Sequence, residues 1–412
     1  MEPLRLLLVS TPVAPLGSGL GGGVELTVTT LAQTLVARGH QVTIAAPAGS
    51  RLPAQASKAQ HIKLVSCAGT YQPTAQSRER SAPIVMGSML ANAWEYARQV
   101  QADYDVLANF AYDWLPFYLT PFLTTPVAHF VSMGSLSDSL DEAITQVAAR
   151  FPGTLGAYTQ SQADTFSKTP SSSKADSSKV EAIGNRTEGQ ASPTKPPTER
   201  LSPIKWEILG SAIDIHQYDY RSKQEAGHDL AWVGRIAPEK GLEDAVEAAL
   251  KSRLALNIFG NIEDPRYWDQ IQLQIRQHPA HQSLIRYRGF LPTEPLQQAL
   301  GQCKALLVTP KWIEAFGIVT IEALACGVPV IAYQRGGPAE IIRSGETGYL
   351  VEPDNTEALV TAIAKIDNIS RYNCRQQVES TYSLEAWATR VERWLHNIAN
   401  TDPIDSSNHK LQ

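Results

Sequence analysis

Ile313-Glu314-Ala315-Phe316-Gly317-Ile318-Val319-Thr320-Ile321-Glu322-Ala323-Leu324-Ala325-Cys326-Gly327 reads as a loop that turns into a short helix and stops at a glycine. Ile318, Ile321 and Ala325 recur at helical spacing and supply one apolar face to pack inward. Gly327 suits the left-handed position that ends a helix, and Pro329 blocks its continuation. A buried strand, Val328–Tyr333, is expected next. Glu314 lies just before the helix and Glu322 about two turns into it. Two carboxylates thus stand near a helix N-terminus, whose free N–H groups favour an anion. A polyol carrying a diphosphate matches that arrangement. Spacing alone also leaves open an amphipathic helix with one solvated and one capping glutamate.

Working outward, 412 residues of which 43% are hydrophobic can fill the cores of two or three domains. A net charge of −5 with no strongly basic stripe gives no footprint for nucleic acid. Cys67, Cys303, Cys326 and Cys374 are far apart and form no CxxC pair, which predicts free thiols in a reducing compartment. Leu4–Val9 is too short for a signal-peptide core and reads as a first strand. No apolar run approaches the roughly 20 residues needed to cross a bilayer. The expectation is a cytoplasmic protein without an integral membrane segment.

Leu4–Ser10 is a continuous apolar strand of the kind found in a parallel sheet covered on both faces. A glycine-rich loop follows, Gly17-Ser18-Gly19-Leu20-Gly21-Gly22-Gly23. Val24, Val28, Leu31 and Leu35 then mark a helix that Gly39 ends, and Gln41–Ala46 is a second strand. This strand–loop–helix–strand unit is Rossmann-like and contains a literal GxGxxG at Gly17, Gly19 and Gly22. A dinucleotide-binding oxidoreductase is therefore a rival reading. That pattern needs an acidic residue at the end of the second strand to hold a ribose, and Ala46-Pro47-Ala48-Gly49-Ser50 has none. The loop is better suited to approaching a phosphate or substrate through its backbone.

Further strands are expected at His61–Ser66, Tyr104–Phe110, Val127–Val131 and Thr154–Tyr158, with helices over Gly87–Gln101 and Ser135–Arg150. Asp103-Tyr104-Asp105 spells a metal-binding DxD but reads as the polar start of a buried strand. His278 and His281 form an HxxH with no ligand at zinc spacing, so a loop pair is expected. Ser167–Pro203 has no aromatic residue and is dense in Ser, Lys, Thr and Pro. Ordering costs roughly 1.5 kcal/mol per residue, and so little apolar area cannot offset it. A disordered insertion is predicted there. A second α/β series follows the strand Ile204–Leu209. It comprises strands Leu230–Gly234, Leu254–Phe259, Leu284–Phe290 and Ala305–Thr309, with helices Leu242–Lys251 and Glu294–Cys303. A final helix, Leu384–Ile398, carries Leu384, Trp387, Val391, Trp394 and Ile398 on one face. Two doubly wound halves facing across a cleft are the natural architecture.

These pieces resemble the retaining, nucleotide-sugar-dependent glycosyltransferases of the GT-B fold, family four. Four matches carry the likeness. Gly21-Gly22-Gly23-Val24-Glu25 sits at the family's phosphate-side glycine loop. Gly234-Arg235-Ile236-Ala237-Pro238-Glu239-Lys240-Gly241 matches its G-R-x-x-x-x-K-G segment. Glu314 and Glu322 form its E-x7-E pair, with Phe316-Gly317 between them, and Gly336-Gly337-Pro338-Ala339-Glu340 and Gly345–Val351 match its downstream loop and turn. The resemblance implies two Rossmann-like α/β domains. An N-terminal acceptor domain spans 1–215 with the insertion 167–203, a nucleotide-sugar domain spans 216–383, and a C-terminal helix, 384–400, packs back toward the first domain.

The resemblance also assigns roles. Arg235 and Lys240 bind the diphosphate and, with Glu314, form the catalytic set, because charge grows on the leaving diphosphate and a metal-free enzyme must meet it with fixed cations and helix N–H groups. Gly22, Gly23, Phe316 and Gly317 complete the donor site, and Glu322 takes the ribose hydroxyls. No metal or other cofactor is implied, the UDP-sugar being a substrate. Many relatives place a histidine at the end of a first-domain strand. Here Ser132 or Met133 stands there and His129 lies earlier. A narrower likeness, over Ser10–Glu25 and Met133–Asp138, is to bacterial UDP-glucose:tetrahydrobiopterin glucosyltransferases. It implies a hexose, glucose, moved to a hydroxyl of a small acceptor such as a pterin, with Tyr112, Trp114 and Phe117 available to stack on the ring. Glu25, His129, Tyr112 and Trp114 are the acceptor-side candidates. The alternatives are a transferase of lipid-linked or cell-envelope glycans, with Leu115–Leu123 facing the membrane, and a non-catalytic sugar-nucleotide binder.

Overall fold

The computed structural model describes residues 1–18, 22–52, 62–72, 85–166, 204–222 and 227–401. The insertion expected at 167–203 lies outside them. Seven strands make the first sheet: β1 Arg5–Val9, β2 Gln41–Pro47, β3 Ile62–Cys67, β4 Val106–Asn109, β5 Val127–Phe130, β6 Leu155–Ala157 and β7 Trp206–Ile208. Six make the second: β8 Leu230–Val233, β9 Leu256–Phe259, β10 Ile285–Gly289, β11 Ala305–Val308, β12 Val330–Tyr333 and β13 Gly348–Val351. The orders are β3-β2-β1-β4-β5-β6-β7 and β10-β9-β8-β11-β12-β13.

Every pairing in both sheets is parallel, Leu6 standing between Val42 and Val106 in register. A parallel strand needs a crossover to reach its neighbour, and the crossover helices cover both faces. That is why Leu6, Leu7, Leu8 and Val9 are all buried, with no polar alternation. In each sheet the order reverses beside the first strand of the half. The crevice at that switch lies outside the carboxyl ends of the strands.

Helix α1, Gly22–Ala37, and helix α2, Met89–Val100, flank the first sheet; α3, Trp114–Leu119, α4, Asp138–Arg150, and α5, Gln160–Asp164, follow. The second half adds α6, Leu242–Ser252, α7, Pro265–Arg276, α8, Thr293–Gly301, α9, Ile318–Ala325, α10, Gly337–Ile341, α11, Thr356–Lys365, and α12, Arg371–Gln377. The sequence reading passes over α7, although Asp264 caps it by accepting from Arg266 N at 2.9 Å and Tyr267 N at 3.1 Å. Its buried stripe is only Tyr267 and Ile271, so the apolar period is too sparse to register.

The last helix, α13, Leu384–Ala399, leaves the second half and packs on the first. Trp387, Val391, Trp394, Leu395 and Ile398 join the core that holds Leu6, Leu8, Phe110 and Phe130. Trp394 meets Phe130 edge-on at 5.0 Å and donates Nε1–H to Gly153 O at 2.7 Å. Two residues before Trp394, Glu392 pairs with Arg38 and accepts from His40 Nε2 at 3.2 Å. His40 Nδ1 accepts Leu4 N–H at 3.0 Å, so the ring is a neutral link between β1 and α13. Trp394→Ala removes a fully packed indole and its hydrogen bond and is expected to cost about 3–5 kcal/mol. Chemical denaturation followed by tryptophan-independent circular dichroism measures it.

Candidate active site

The loops after β8, β11 and β12 leave the sheet at its carboxyl edge and converge. The β8 loop runs from Gly234 through a 3-10 turn, Pro238–Lys240, to Gly241 at φ 63°. A Cβ at Gly241 would lie 2.0 Å from the Thr309 carbonyl oxygen, so only glycine allows this approach. Thr309 Oγ1 returns a hydrogen bond to Gly241 O at 2.7 Å, joining the β8 loop to the end of β11. This junction delivers Lys240 to Glu314, 74 positions further along the chain, where Nζ forms an ion pair with Oε2. Trp312 completes the group. Its Nε1–H donates to the same Oε2 at 3.2 Å, and Lys240 Nζ sits 5.0 Å from its ring centroid. Sequence reasoning missed Trp312, whose only signal was its position two residues before the motif.

The Gly336–Gly337 pair wraps the Glu314 loop from the other side. Added Cβ atoms would lie 2.5 Å from Glu314 O and 2.3 Å from Phe316 O, and Gly337 N–H donates to Glu314 O at 2.7 Å. Phe316 is buried, its ring 5.9 Å from Tyr382 and 6.1 Å from Tyr158 of the first domain. Gly317, at φ 82°, opens α9, whose first turn has no side-chain cap. Thr320 N–H turns back to Gly317 O at 2.9 Å, and no side chain caps the N–H groups ahead of it. Glu322 sits in the second turn. Burial pushes its carboxyl above the usual range, and a hydrogen bond from Tyr218 OH to Oε1 at 2.8 Å pulls it back. Tyr218 lies in the polar stretch between the two sheets, where nothing in the sequence marks it.

Arg235 is placed differently from its expected partner. Its Nη2 donates to Glu239 at 3.0 Å and its Nη1 pairs with Glu263. Lys240 and Glu314 are brought into contact, while the guanidinium is held by acids of its own loop and the next.

In the first domain Gly22 and Gly23 open α1. Glu25 is buried, and its Oε1 accepts Gly17 N–H at 2.5 Å, which makes it a brace of the glycine loop and not an open acceptor contact. His129 is also a correction. It is wholly buried, stacked on Phe117 at 4.4 Å. Its Nε2 meets Thr120 Oγ1 at 2.9 Å and its Nδ1 meets Asn109 Nδ2 at 3.2 Å. Thr120 Oγ1 already donates to Pro116 O, so the ring gives its proton to Thr120 and takes one from Asn109. Burial drives its pKa down to about 3, so it is a neutral core residue. Tyr112 is buried too and its hydroxyl donates to Gly134 O at 2.8 Å, which leaves no free face for stacking. Trp114 is 46% exposed and stacks on Tyr118 at 4.3 Å, so of the four acceptor-side candidates it alone presents a ring to solvent.

The DxD and HxxH stretches lie apart from the Lys240–Glu314 group. Asp105 of the DxD forms an ion pair with Arg5 at 2.6 Å at the opposite edge of the sheet. His278 and His281 occupy the turn after α7, as a loop pair. Among the described residues no helix is long and apolar enough to cross a membrane.

Comparison with known proteins accounts for both halves. The family model described as Glycosyltransferase Family 4 matches residues 21–131, and that described as Glycosyl transferases group 1 matches 221–381. The chain is 32% identical over 186 residues to an alpha-maltose-1-phosphate synthase of Mycolicibacterium smegmatis, covering 41% of this chain and 48% of that protein. It is 32% identical over 105 residues to the sucrose-phosphate synthase of Spinacia oleracea, covering 25% of this chain and 10% of that protein. The chain therefore spans at most about half the length of these curated relatives. In fold it is similar to Anabaena Alr3699/HepE in complex with UDP, with a TM-score of 0.69, 16% identity, and coverage of 96% of this chain and 100% of that one. A sucrose-phosphate synthase from Thermosynechococcus elongatus gives a TM-score of 0.69 at 17% identity, covering 96% and 99%. No dinucleotide oxidoreductase is needed to explain the glycine loop, since it opens the Family 4 match. One family model thus lies on each half, each over less than half of the chain, and the two-sheet arrangement is the GT-B fold that these solved structures share end to end.

Proposed function

We propose that this protein is a retaining glycosyltransferase that moves a hexose, glucose, from a UDP-sugar to a hydroxyl of a small acceptor. The observation that carries the reading is the Lys240–Glu314 pair, assembled from two loops at the carboxyl edge of the second sheet. The ammonium of Lys240 is paired with Glu314. A diphosphate arriving at the α9 N-terminus competes for that ammonium, so binding of the leaving group and release of Glu314 toward the sugar are one event. As the bond from the anomeric carbon to the phosphate oxygen breaks, Lys240 and the α9 N–H groups meet the charge that grows on the diphosphate. Arg235 joins them by exchanging Glu239 and Glu263 for phosphate oxygens. The acceptor oxygen bonds the anomeric carbon on the face the phosphate leaves, and its proton passes to the departing phosphate oxygen. Glu314 steadies the positive charge on the sugar. Glu322 takes the ribose hydroxyls through Oε2, since Oε1 is engaged by Tyr218.

The acceptor reading rests on Trp114. An exposed ring backed by Tyr118 suits a flat hydroxylated molecule such as a reduced pterin. The same ladder continues to Phe122, 65% exposed, and this favours a second reading, an acceptor carried on a lipid. A screen of UDP-, GDP- and ADP-sugars against reduced pterins and lipid-linked glycans, read by product mass, separates the two. Product formed only with a non-uridine donor overturns the donor assignment, and retention of turnover in EDTA is expected because the cations are side chains.

Lys240→Ala is expected to lower kcat about a hundred- to a thousandfold, as loss of one transition-state donor does. It should change stability by only about 1–2 kcal/mol, the pair being half-buried. Unchanged kinetics in both Lys240→Ala and Arg235→Ala would remove the diphosphate assignment. Glu322→Gln separates binding from folding. Its carboxyl is raised above the ordinary value of about 4.5, so the stability it carries is complete below that pH and is lost as pH rises through the raised value. The ligand-free variant should therefore melt higher than the parent at pH 7 and lose that advantage near pH 4.5. UDP-glucose should bind it about ten- to a hundredfold more weakly, by calorimetry.

A further inference from the structure

Glu340 ends the Gly336–Glu340 motif, and the chemistry above gives it no task. Its carboxylate crosses from the second domain to the first. Oε2 accepts Gln160 N–H at 2.9 Å and Oε1 accepts Ser161 N–H at 2.6 Å, the first two amides of α5. Those amides have no partner inside the helix, so the contact satisfies groups that a helix start leaves open. One residue earlier, buried Thr159 donates Oγ1–H to Ala315 O at 2.8 Å, the peptide next to Glu314. One residue earlier again, the Tyr158 ring faces Phe316. Four consecutive residues at the carboxyl end of β6 thus grip the loop that carries Glu314 and the helix that wraps it.

Glu340 is itself exposed, so the fold does not need this contact for burial. A free carboxylate would be well solvated, and trading water for two amides brings only a modest net gain. A contact of that strength biases a hinge without locking it. Its geometric effect is larger than its energy. Gly336–Gly337 already fastens the Glu314 loop to α10, and Glu340 fastens α10 to the first domain, so the loop is pinned on both sides only when the domains are together.

We propose that Glu340 and Thr159 are positioning residues that couple closure of the two domains to the placement of Glu314. The proposal rests on the glycosyltransferase reading for its kinetic consequence but not for its structural one. Lys240, Arg235 and Glu322, the groups the proposed function sets on the diphosphate and ribose, all belong to the second domain, so Glu340→Ala and Thr159→Val should leave the Kd for UDP and the KM for the donor within about twofold. They should lower kcat about tenfold or more, the size expected when hydrogen bonds that bias an equilibrium are removed. Thr159→Ser keeps the hydroxyl and should restore kcat. Hydrogen exchange at 313–317 should quicken in Glu340→Ala relative to the parent, with or without UDP. Unaltered exchange there overturns the coupling, whether or not any donor supports turnover. A parallel loss of UDP affinity and kcat would also overturn it, because that pattern means general damage to the second domain. Quickened exchange together with no transfer from any UDP-sugar would uphold the coupling and reject the transferase.

Discussion

The ion pair between Lys240 and Glu314 is the contact on which the rest of the site depends, and it exists because a backbone can approach another backbone at Gly241. A side chain there would collide with the Thr309 carbonyl, the β8 loop would ride away from β11, and the ammonium would end in solvent. Trp312 then narrows the choices left to the pair by giving its N–H to the same oxygen and its face to the cation. On the proposed function, a half-enclosed cation whose counter-charge among the described residues is Glu314 is one that a diphosphate can take over. The same cation in bulk water would be worth far less to a developing charge.

The second carboxylate shows the opposite economy. Glu322 is enclosed, its proton is held more tightly than in water, and one neutral phenol is set against that burial. Replacing the phenol with a cation would stabilise the charge, and the phenol leaves Oε2 outside this contact. The arrangement therefore keeps a binding group at some expense to the empty fold, the usual relation between a site and the scaffold that holds it.

Two devices fasten the halves. Helix α13 carries a large buried apolar face from the second half into the first, an attachment of Trp387, Trp394 and their neighbours that serves folding. Glu340 and Thr159 work at the cleft, with a few polar atoms and little buried area. The first is too strong to reverse during turnover. The second is of the strength a reversible motion requires.

Much of the fold was legible in local patterns. Runs such as Leu4–Ser10 are apolar without alternation because both faces of a parallel strand are covered, and twelve of the thirteen described strands were placed within a few residues, β13 having been read as part of a turn. Helix α7 escaped because two buried side chains do not make a period. Glu314, Glu322, Arg235 and Lys240 could be singled out from the sequence, since a loop-to-helix turn and its charges are local features. The surroundings of the first-domain candidates were not legible. His129, Tyr112 and Glu25 are polar residues whose partners lie on other elements and loops, and composition cannot tell a buried hydrogen-bonded side chain from an open one. By itself the sequence determined on which kind of turn these second-domain charges sit, because helix starts, strand ends and glycines act over a few positions. Only the tertiary structure decided which charge faces which, because Lys240 finds Glu314, Tyr218 finds Glu322 and Glu340 finds α5 across separations that no local rule spans.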